Sequence, residues 1–489
     1  MSKPFYITTT LPYVNSDPHI GFAMELIRAD IVARYKKLQG YEVFLNTGTD
    51  EHGVKIYRKA KEQHIDTQAY VDSYAKKFKD LISLLNILPE ANFVRTTDKH
   101  HIMSAQEFWK IADKNGLIYK KNYAVKYCVG CELEKTESEL NDDGRCPLHP
   151  LQEIEVIEEE NYFFRFSIFQ KKLLDLYDKN DNFVVPKSRL NEIKAFVERG
   201  LEDFSISRLA SKMPWGIPVP GDDKQVMYVW FDALVNYISA IGWPDDKEKY
   251  QKNWIDSGGV VQYCGKDNLR QQAAMWQAML MAVNLPPSKQ IIIDGFITGE
   301  GGIKMSKSLG NTVDPVSLVN EYGVDALRYF VAGKLAAFED SAFTPDKFKE
   351  AYNAYLANGL GNLASRVLKM SETNDVKVDL NESHPFIDSQ EFNDIKVKYN
   401  EGFDKFDLLQ ACEAVWQLIA NTDGIVEERQ PFKTIKTDPK KAIEDIKELV
   451  VRLYQIGKLL LPILPKTAEK IIELVEKNKI PAEPLFIRK

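Results

Sequence analysis

The chain has 489 residues, enough for about three domains at roughly 150 residues each. Hydrophobic residues make up 44% of it and charged residues 28%, a composition that excludes a disordered or fibrous chain. The formal net charge of −7 argues against a surface that binds nucleic acid without selection, although it is compatible with a local basic face.

The start of the chain lacks the features of a signal peptide, because it contains only a short strand-like run and no extended apolar region. Charged residues interrupt each apolar stretch well short of the ~18 residues that a membrane-spanning helix needs. We therefore expect a cytoplasmic chain without a membrane partner.

The first 50 residues predict a strand, a turn, a helix and a second strand. Residues 5–9 and 43–45 are the strands, and Asp17 and Pro18 are expected as the N-cap and first position of the helix, which should stop at Gly40. Its apolar face consists of Met24, Ile27, Ile31, Tyr35 and Leu38. Such a unit requires a right-handed crossover and a parallel sheet, whose ligands bind beyond the carboxyl ends of the strands.

The pattern changes at about residues 116–214, where a cysteine cluster, an acidic run and an aromatic block indicate an insertion in the sheet. Strand-like α/β runs resume at 226–230, 260–263 and 291–293, and the sequence is helical from about residue 350. The clearest helical stripe, closed by Pro462 and Pro465, consists of Leu449, Leu453, Ile456, Leu460 and Ile463. The expected fold class is α/β, with a parallel sheet, an insertion and an all-α region.

A first candidate phosphate site lies at the start of the first helix. His19 and Gly21 would place an imidazole and a bare backbone at the positive end of that helix, which suits a phosphate group. The alternative is that His19 only caps the helix and that Gly21 only permits close packing.

A second candidate phosphate site is a glycine-flanked loop that contains Lys304 and Lys307 among serines. Ammonium groups on such a loop can gather around a polyphosphate and stabilise the charge that develops as pyrophosphate leaves. The alternative is a solvated surface loop.

A candidate metal site is formed by two closely spaced ligand pairs, Cys128 with Cys131 and Cys146 with His149. Four such ligands can close a tetrahedron around Zn²⁺ and leave no open position, which predicts one structural zinc. The alternative is a set of reduced, metal-free thiols. Cys264 and Cys412 are isolated, so the five cysteines form no disulfide framework.

Spaced motifs over nearly the whole chain resemble the class I aminoacyl-tRNA synthetases, and within them the methionyl-tRNA synthetase family. Besides the two phosphate motifs, the runs that support the resemblance are Thr10-Leu11-Pro12-Tyr13-Val14-Asn15, Thr47-Gly48-Thr49-Asp50-Glu51-His52-Gly53, Glu160-Asn161-Tyr162-Phe163-Phe164-Arg165, Trp230-Phe231-Asp232-Ala233 and Gly265-Lys266-Asp267. The resemblance implies a Rossmann-like catalytic domain, an inserted zinc-knuckle domain and a helical anticodon-binding bundle. The expected bounds are 1–115 and 215–300 for the catalytic halves, 116–214 for the insertion, 301–350 for the lysine loop and 351–489 for the bundle.

The resemblance also implies a site for methionine. Asp50 and the backbone of Leu11 match the positions that hold the methionine ammonium group, and a carboxylate is a suitable partner for it. The positions that surround the thioether chain match Tyr13, Trp230, Ala233, Leu234 and Tyr237, with Gln272 at the border of the pocket. Without the family context, Trp230 and Tyr237 would be ordinary core residues.

By the same resemblance, ATP with Mg²⁺ would lie across His19, Gly21, Lys266, Asp267 and Lys307, and the catalytic groups would be His19, Lys304 and Lys307.

Three positions depart from the family pattern. Phe22 replaces the second histidine of the first signature, and a donor lost in this way costs ~2.7–4 kcal/mol when nothing compensates. Asn268 and Gln272 replace an aliphatic residue and a histidine, which changes the lining expected for the methionine pocket.

In the helical region, Asn362 and Arg366 match positions that read the anticodon, since amide and guanidinium groups can recognise unpaired base edges. Their alternative is a surface pair four residues apart. Phe432 stands after a proline where the family stacks a base on tryptophan, so stacking would survive on a smaller ring.

The sequence therefore predicts a monomeric enzyme that activates L-methionine with ATP and transfers it to tRNA(Met). One alternative is a class I synthetase for another apolar amino acid, which Asn268 and Gln272 favour and the lack of a large editing insertion opposes. The other is an inert tRNA-binding paralogue, which only Phe22 suggests.

Overall fold

The strands of this computed structural model, which describes residues 2–131, 133–135, 139–303, 305, 313–380 and 384–489, are mostly short. In chain order they are β1 (Pro4–Thr8), β2 (Glu42–Thr49), β3 (Asn92–Arg95), β4 (Ile118–Cys128), β5 (Leu133–Lys135), β6 (Glu155–Phe164), β7 (Val184–Val185), β8 (Phe204–Ser205), β9 (Ser207–Leu209), β10 (Pro218–Val219), β11 (Asp222–Met227), β12 (Val260–Gly265), β13 (Gln290–Asp294), β14 (Ile297–Thr298) and β15 (Ser341–Ala342).

The helices dominate the second half of the chain. They are α1 (Ile20–Leu38), α2 (Val54–Glu62), α3 (Thr67–Leu84), α4 (Lys99–Lys114), α5 (Gln170–Lys179), α6 (Lys187–Glu198), α7 (Val229–Ala233), α8 (Asn236–Ser239), α9 (Lys247–Tyr250), α10 (Trp276–Ala282), α11 (Pro315–Tyr322), α12 (Val324–Gly333), α13 (Pro345–Ala351), α14 (Asn362–Thr373), α15 (Gln390–Asp404), α16 (Leu408–Arg429), α17 (Pro431–Thr434), α18 (Pro439–Leu460) and α19 (Pro465–Glu476).

A six-stranded parallel sheet is the centre of the fold, in the order β3-β2-β1-β12-β13-β7. The chain runs outward from β1 through β2 to β3, and later outward from β12 on the opposite side of β1. The strand order therefore reverses between β1 and β12, and such a switch point is where open α/β sheets bind their ligands. The predicted Rossmann-like α/β class is confirmed.

Alternate residues of the central strands bury opposite faces of the sheet. Ile7 and Ile292 belong to a core that also includes α1 and the C-terminal helices, whereas Tyr6, Ile291 and Ile293 belong to a second core with α4 and α10. This alternation is the two-residue period of a strand that is buried on both sides. The first core continues without a break from the sheet into the helical region.

The first helix begins two residues later than predicted. Its N-cap is His19, whose Nδ1 accepts a hydrogen bond from the Gly21 N–H at 3.1 Å, so the prediction that Asp17 caps it is wrong. Asp17 instead forms an ion pair with Lys77 of α3. The predicted end is confirmed, because the helix stops before Gly40, whose φ of +83° suits glycine.

The inserted segment forms an antiparallel sheet in the order β5-β4-β6-β8. Two features of this part differ from the strand pattern of the sequence. Strand β7 returns to the central sheet and pairs with β13 at its edge. The run 226–230, expected as another strand of the parallel sheet, instead ends β11 in a small antiparallel sheet and begins α7.

The helical region runs from α13 to α19, as the sequence predicts. The four residues Leu449, Leu453, Ile456 and Leu460 of the predicted stripe are fully buried on α18, and Ile463 follows at 1% exposure. Pro465 starts α19, which confirms that the preceding helix is closed there. None of the helices in the described ranges is long and apolar enough to cross a membrane.

Candidate active site

A cavity of about 420 Å³ opens at the switch point of the central sheet. Its walls come from the loop after β1, from Asp50 after β2, from Gly265 and Asp267 at the end of β12 and from Asp294 at the end of β13. The remaining wall is supplied by α7 and the residues that follow it. The cavity therefore lies at the sheet edge that the first strand-helix-strand unit predicts for a ligand.

Every residue predicted for the amino-acid pocket lines this cavity. They are Leu11, Tyr13, Asp50, Trp230, Ala233, Leu234, Tyr237 and Gln272. Backbone hydrogen bonds hold the loop after β1 against the end of β2, since Asp50 N–H donates to Pro12 O at 3.0 Å and Val14 N–H donates to Asp50 O at 3.2 Å. Asp50 is thereby fixed beside Tyr13 with only 7% exposure, an environment in which a carboxylate suits a cationic ligand.

Three residues predicted for nucleotide binding, His19, Gly21 and Asp267, line the same cavity. A Cβ atom on Gly21 would lie 3.0 Å from the His19 ring, so glycine allows the imidazole to fold over the first turn of α1. The N-terminus of this helix lies at the cavity wall, where the positive end of the helix dipole suits an anion.

The three lysines predicted for this site have different outcomes. Lys266 is not among the lining residues, because its Nζ lies 2.7 Å from Asp340 Oδ2 and 4.4 Å from the centre of the Phe296 ring. Lys304 and Lys307 lie outside the described residues, so their roles stay predictions.

Glu25 is a cavity residue that the sequence reasoning missed. It is 7% exposed and accepts hydrogen bonds from the backbone N–H and the hydroxyl of Thr10, at 2.5 and 2.6 Å. Burial, with the nearby carboxyl groups of Asp294 and Asp267, raises the pKa of Glu25 to about 8. The sequence signal was an acid among the apolar residues of the first two turns of α1, six residues after His19.

Asp294 was also missed. Its Oδ1 lies 2.8 Å from Arg28 Nη1, and both side chains are nearly fully buried. The same Arg28 donates to the carbonyl oxygens of Ala336 and Ala337, so it joins α1 to the end of β13 and to the segment before β15. Burial raises the pKa of Asp294 although Arg28 opposes this effect.

Phe22, the first departure from the family pattern, packs into the wall of the cavity. It is 8% exposed, and its ring meets Phe78 of α3 edge to face at a centroid distance of 5.2 Å. A benzene ring offers no hydrogen-bond donor. Any stabilisation of a developing charge at this end must therefore come from other groups.

The other two residues that depart from the family pattern, Asn268 and Gln272, also line the cavity. Asn268 Nδ2 donates to Asp267 Oδ1 at 3.2 Å. Gln272 is 2% exposed, and its Nε2 donates to the phenol oxygen of Tyr237 at 2.7 Å. Gln272 thus supplies a hydrogen-bond donor to the base of the amino-acid pocket.

Behind the amino-acid pocket, two histidines share one buried carboxylate. His52 Nδ1 lies 2.8 Å from Asp232 Oδ2, and His101 Nε2 lies 3.0 Å from Asp232 Oδ1. Burial opposes the ionisation of Asp232, but the two imidazoles outweigh it and its pKa lies below the usual range. Asp232 sits on α7 between Trp230 and Ala233, so this cluster fixes the helix that forms one wall of the cavity.

The predicted metal ligands converge on one point. The Sγ atoms of Cys128, Cys131 and Cys146 and the Nδ1 atom of His149 lie 3.2–3.9 Å apart in the pairs measured. Such separations fit four atoms bound to one tetrahedral ion by bonds of about 2.0–2.3 Å. A Cβ atom on Gly130 would come within 2.4 Å of the His149 ring, so only glycine allows this knuckle to close. The cluster is suited to a metal ion.

The metal cluster adjoins the active site, because Gly130 and Cys131 also line the 420 Å³ cavity. The antiparallel sheet of the insertion therefore approaches the carboxyl edge of the central sheet at this knuckle.

The residues predicted for the anticodon lie on the helical region. Asn362 is exposed at the start of α14, and Phe432 is 42% exposed on α17. Arg366 forms ion pairs with Asp423 at 2.8 Å and Glu427 at 2.6 Å. Its guanidinium is thus already engaged by two carboxylates of α16.

Comparison with known families agrees with this arrangement. Residues 5–154 and 150–368 match the family model described as tRNA synthetases class I (M). Together with the parallel sheet and its switch-point cavity, the match defines a class I aminoacyl-tRNA synthetase.

Individual relatives show which family within this class the chain resembles. The chain is 38% identical over 478 residues to the methionine–tRNA ligase of Synechocystis, covering 96% of this chain and 89% of the relative. It is 40% identical over 482 residues to that of Thermosynechococcus vestitus, with 96% and 90% covered. A solved structure of Mycobacterium tuberculosis methionyl-tRNA synthetase in complex with methionyl-adenylate superposes with a TM-score of 0.89 at 34% identity, covering 96% of this chain and 94% of the other. The chain belongs to the methionyl-tRNA synthetase family.

Proposed function

We propose that this protein is a methionine–tRNA ligase, which condenses L-methionine with Mg²⁺-ATP to methionyl-adenylate and transfers the methionine to the 3′-terminal ribose of tRNA(Met). The observation that carries the proposal is that one cavity contains both the residues suited to methionine and those suited to ATP. Membership of the family supports the same reaction.

In the activation step, the methionine carboxylate attacks the α-phosphate of ATP and pyrophosphate leaves. Asp50 would pair with the methionine ammonium group, with the backbone of Leu11 as a second contact. The aromatic rings of Tyr13 and Trp230 would contact the thioether, since sulfur interacts favourably with ring edges. No covalent enzyme intermediate is needed, so catalysis rests on positioning and on stabilisation of charge.

The nucleotide would lie over the N-terminus of α1. His19 and the positive end of α1 at Gly21 would face the phosphates, and Asp267 would accept hydrogen bonds from the ribose hydroxyls. Lys304 and Lys307 are proposed to stabilise the departing pyrophosphate. Lys266 would reach the nucleotide only after leaving Asp340.

The cysteine-histidine cluster would hold one structural Zn²⁺, because four protein ligands leave no coordination site for a substrate. Bound zinc would hold together the knuckle whose Cys131 contributes to the cavity wall. Asn362, Arg366 and Phe432 are proposed to contact the anticodon of a tRNA bound by a monomer.

The test is amino-acid-dependent ATP–pyrophosphate exchange. We expect exchange with L-methionine. Exchange driven by a different apolar amino acid would select the alternative synthetase, and no exchange with any amino acid, in protein that still binds tRNA, would select the inert paralogue.

A further inference from the structure

Lys266 and Asp340 form a two-point contact beside the nucleotide end of the cavity. The Lys266 ammonium group lies 2.8 Å from Oδ1 and 2.7 Å from Oδ2 of Asp340. Neither residue belongs to the wall of the cavity, although Gly265 and Asp267, the two chain neighbours of Lys266, do. The lysine therefore stands next to the proposed ATP site with its charge engaged by a carboxylate outside that site.

Asp340 is the fixed partner of this pair. Its Oδ1 also accepts a hydrogen bond from the Phe296 N–H at 2.9 Å. Its backbone lies against the turn after β13, where a Cβ atom on Gly295 would come within 2.6 Å of the Asp340 nitrogen. The next residue, Ser341, starts β15 and donates its N–H to the Phe296 carbonyl oxygen at 3.0 Å. The carboxylate is thus held in place by strand pairing and by a backbone donor.

Lys266 is the partner whose side chain can change direction. It is 25% exposed, and its ammonium group reaches Asp340 on a flexible stem of four carbons. The ammonium group also lies 4.4 Å from the centre of the Phe296 ring, which is part of the cavity wall. Only the depth of this ring therefore lies between the lysine charge and the space proposed for ATP.

The carboxylate of the pair is ionised at neutral pH. Burial opposes the ionisation of Asp340, but the hydrogen bonds from Lys266 and from the Phe296 N–H outweigh it, and the pKa of Asp340 lies below its usual range. An incoming ATP molecule, which carries several negative charges of its own, must compete with this carboxylate for the same ammonium group.

The exposure of the pair decides whether ATP can win that competition. The Asp340 side chain is 43% exposed, and an ion pair in contact with water is weak. The neighbouring pair of Arg28 and Asp294, with side chains only 3% and 2% exposed, is closed to such competition because breaking it would leave a buried charge. The pair of Lys266 and Asp340 is therefore the one of the two that a polyphosphate can open.

We propose that Asp340 is a positioning residue that holds Lys266 away from the cavity until ATP takes over its ammonium group. The proposal rests on the proposed function, in which Lys266 contacts the nucleotide. Because ATP must displace the carboxylate, only the fraction of the enzyme with an open pair binds it at full strength, and the apparent affinity is reduced by that fraction. Asp340 thus raises the KM for ATP without touching the nucleotide.

Asp340→Asn tests this inference, because the amide keeps an oxygen for the Phe296 N–H and loses the charge that holds Lys266. We expect the KM for ATP in methionine-dependent pyrophosphate exchange to fall roughly two- to fivefold, the range that one exposed ion pair allows. The kcat and the KM for methionine should stay at their wild-type values. A pair with only a structural role would leave the KM for ATP unchanged, and that result would overturn the proposal.

A double-mutant cycle shows whether the aspartate acts through the lysine. Lys266→Ala should raise the KM for ATP, because it removes the group that ATP gains. Adding Asp340→Asn to Lys266→Ala should then have no further effect. If the second change lowers the KM as much as it does in the wild-type background, the carboxylate acts on ATP directly and the proposal fails. Lys266→Ala with a wild-type KM for ATP would also overturn it.

Asp178→Asn is the matched control, because it removes the charge from a partly exposed ion pair with Lys194 that joins α5 to α6. It should change neither KM. The KM ratio of wild type to Asp340→Asn should shrink toward one as potassium chloride is raised from about 0.05 M to about 0.5 M, because salt screens an exposed pair. A ratio that stays constant would contradict the inference. Absence of methionine-dependent exchange in the wild type would instead refute the proposed function.

Discussion

Arg328 and Asp30 form an ion pair in which neither side chain has exposed surface, with Nη2 of the arginine 2.7 Å from Oδ2 of the aspartate. The guanidinium also donates to the carbonyl oxygens of Pro462 and Ile463, after α18. Asp30 lies on α1, the helix whose first turn faces the active-site cavity. One buried pair thus ties the C-terminal helices to the helix that forms the nucleotide end of the site.

Arg328→Met should destabilise the whole protein, because it leaves the buried Asp30 carboxylate with Arg34 as its remaining cation and deprives the Pro462 and Ile463 carbonyl oxygens of their donor. Breaking a buried pair by removing one partner costs roughly 3–5 kcal/mol. We expect the urea concentration at the midpoint of unfolding, measured by tryptophan fluorescence, to fall accordingly. Lys470→Gln, which removes an exposed ion pair on α19, is the control and should leave the midpoint unchanged. An unchanged midpoint in the arginine variant would contradict this reading.

Glu25 should make stability fall as the pH rises. Its pKa is raised to about 8 in the folded protein, chiefly by burial, against 4.5 for an exposed glutamate. The folded state therefore binds the proton more tightly than the unfolded state, and stability is lost as the pH rises from about 4.5 to about 8. Above that range the loss is complete.

Glu25→Gln should remove this dependence, since an amide reproduces the protonated acid and still accepts the Thr10 hydrogen bonds through Oε1. The melting temperature of the variant should exceed that of the wild type by an amount that grows from pH 5 toward pH 8. Glu42→Gln, at an exposed site on β2, serves as the control. A difference that stays constant with pH would show that Glu25 is ionised throughout this range.

Local spacing was sufficient to find the groups whose geometry is set within a few residues. The metal-ligand candidates are two such pairs, which converge on one point, and His19 and Gly21 lie together at the start of α1, where both line the cavity. Lys266 and Glu25 could not be assigned in this way, because their environments depend on Asp340 and Asp294, which are remote in sequence. The prediction of a parallel-sheet strand at 226–230 was wrong for the same reason, because contacts remote in sequence decide how this apolar run folds. Its first residues end β11 in the small antiparallel sheet, and its last residues begin α7.

Cys146→Ser should abolish binding of one zinc ion per chain. The substitution removes one of four ligand atoms that converge on a single point, and a structural zinc site depends on all four. We expect about one equivalent of zinc in the wild type by elemental analysis, and protease cleavage within residues 128–155 once the metal is lost. Cys412→Ser on α16 is the matched control and should retain the metal. Wild-type protein with well under one equivalent would refute the zinc assignment.

Asp50→Asn should weaken methionine binding and leave ATP binding nearly unchanged. A neutral amide cannot offset the charge of the ammonium group, and losing one partner of a buried charged pair costs about 2–5 kcal/mol, or at least thirtyfold in the KM for methionine. Pyrophosphate exchange at varied methionine and at varied ATP separates the two effects. Asp80→Asn, in an exposed ion pair on α3, is the control. Equal increases in both KM values would place Asp50 outside the methionine site.

Phe432→Ala should impair charging of tRNA without changing the activation of methionine. The ring is 42% exposed on α17, in the helical region, and it takes no part in the wall of the active-site cavity. Stacking of a base on an aromatic side chain contributes about 1–3 kcal/mol, so the KM for tRNA should rise at least fivefold while pyrophosphate exchange stays at the wild-type rate. Val397→Ala, which removes a similarly exposed apolar side chain from α15, should alter neither reaction. A Phe432 variant that charges tRNA like the wild type would remove this ring from the proposed anticodon contact.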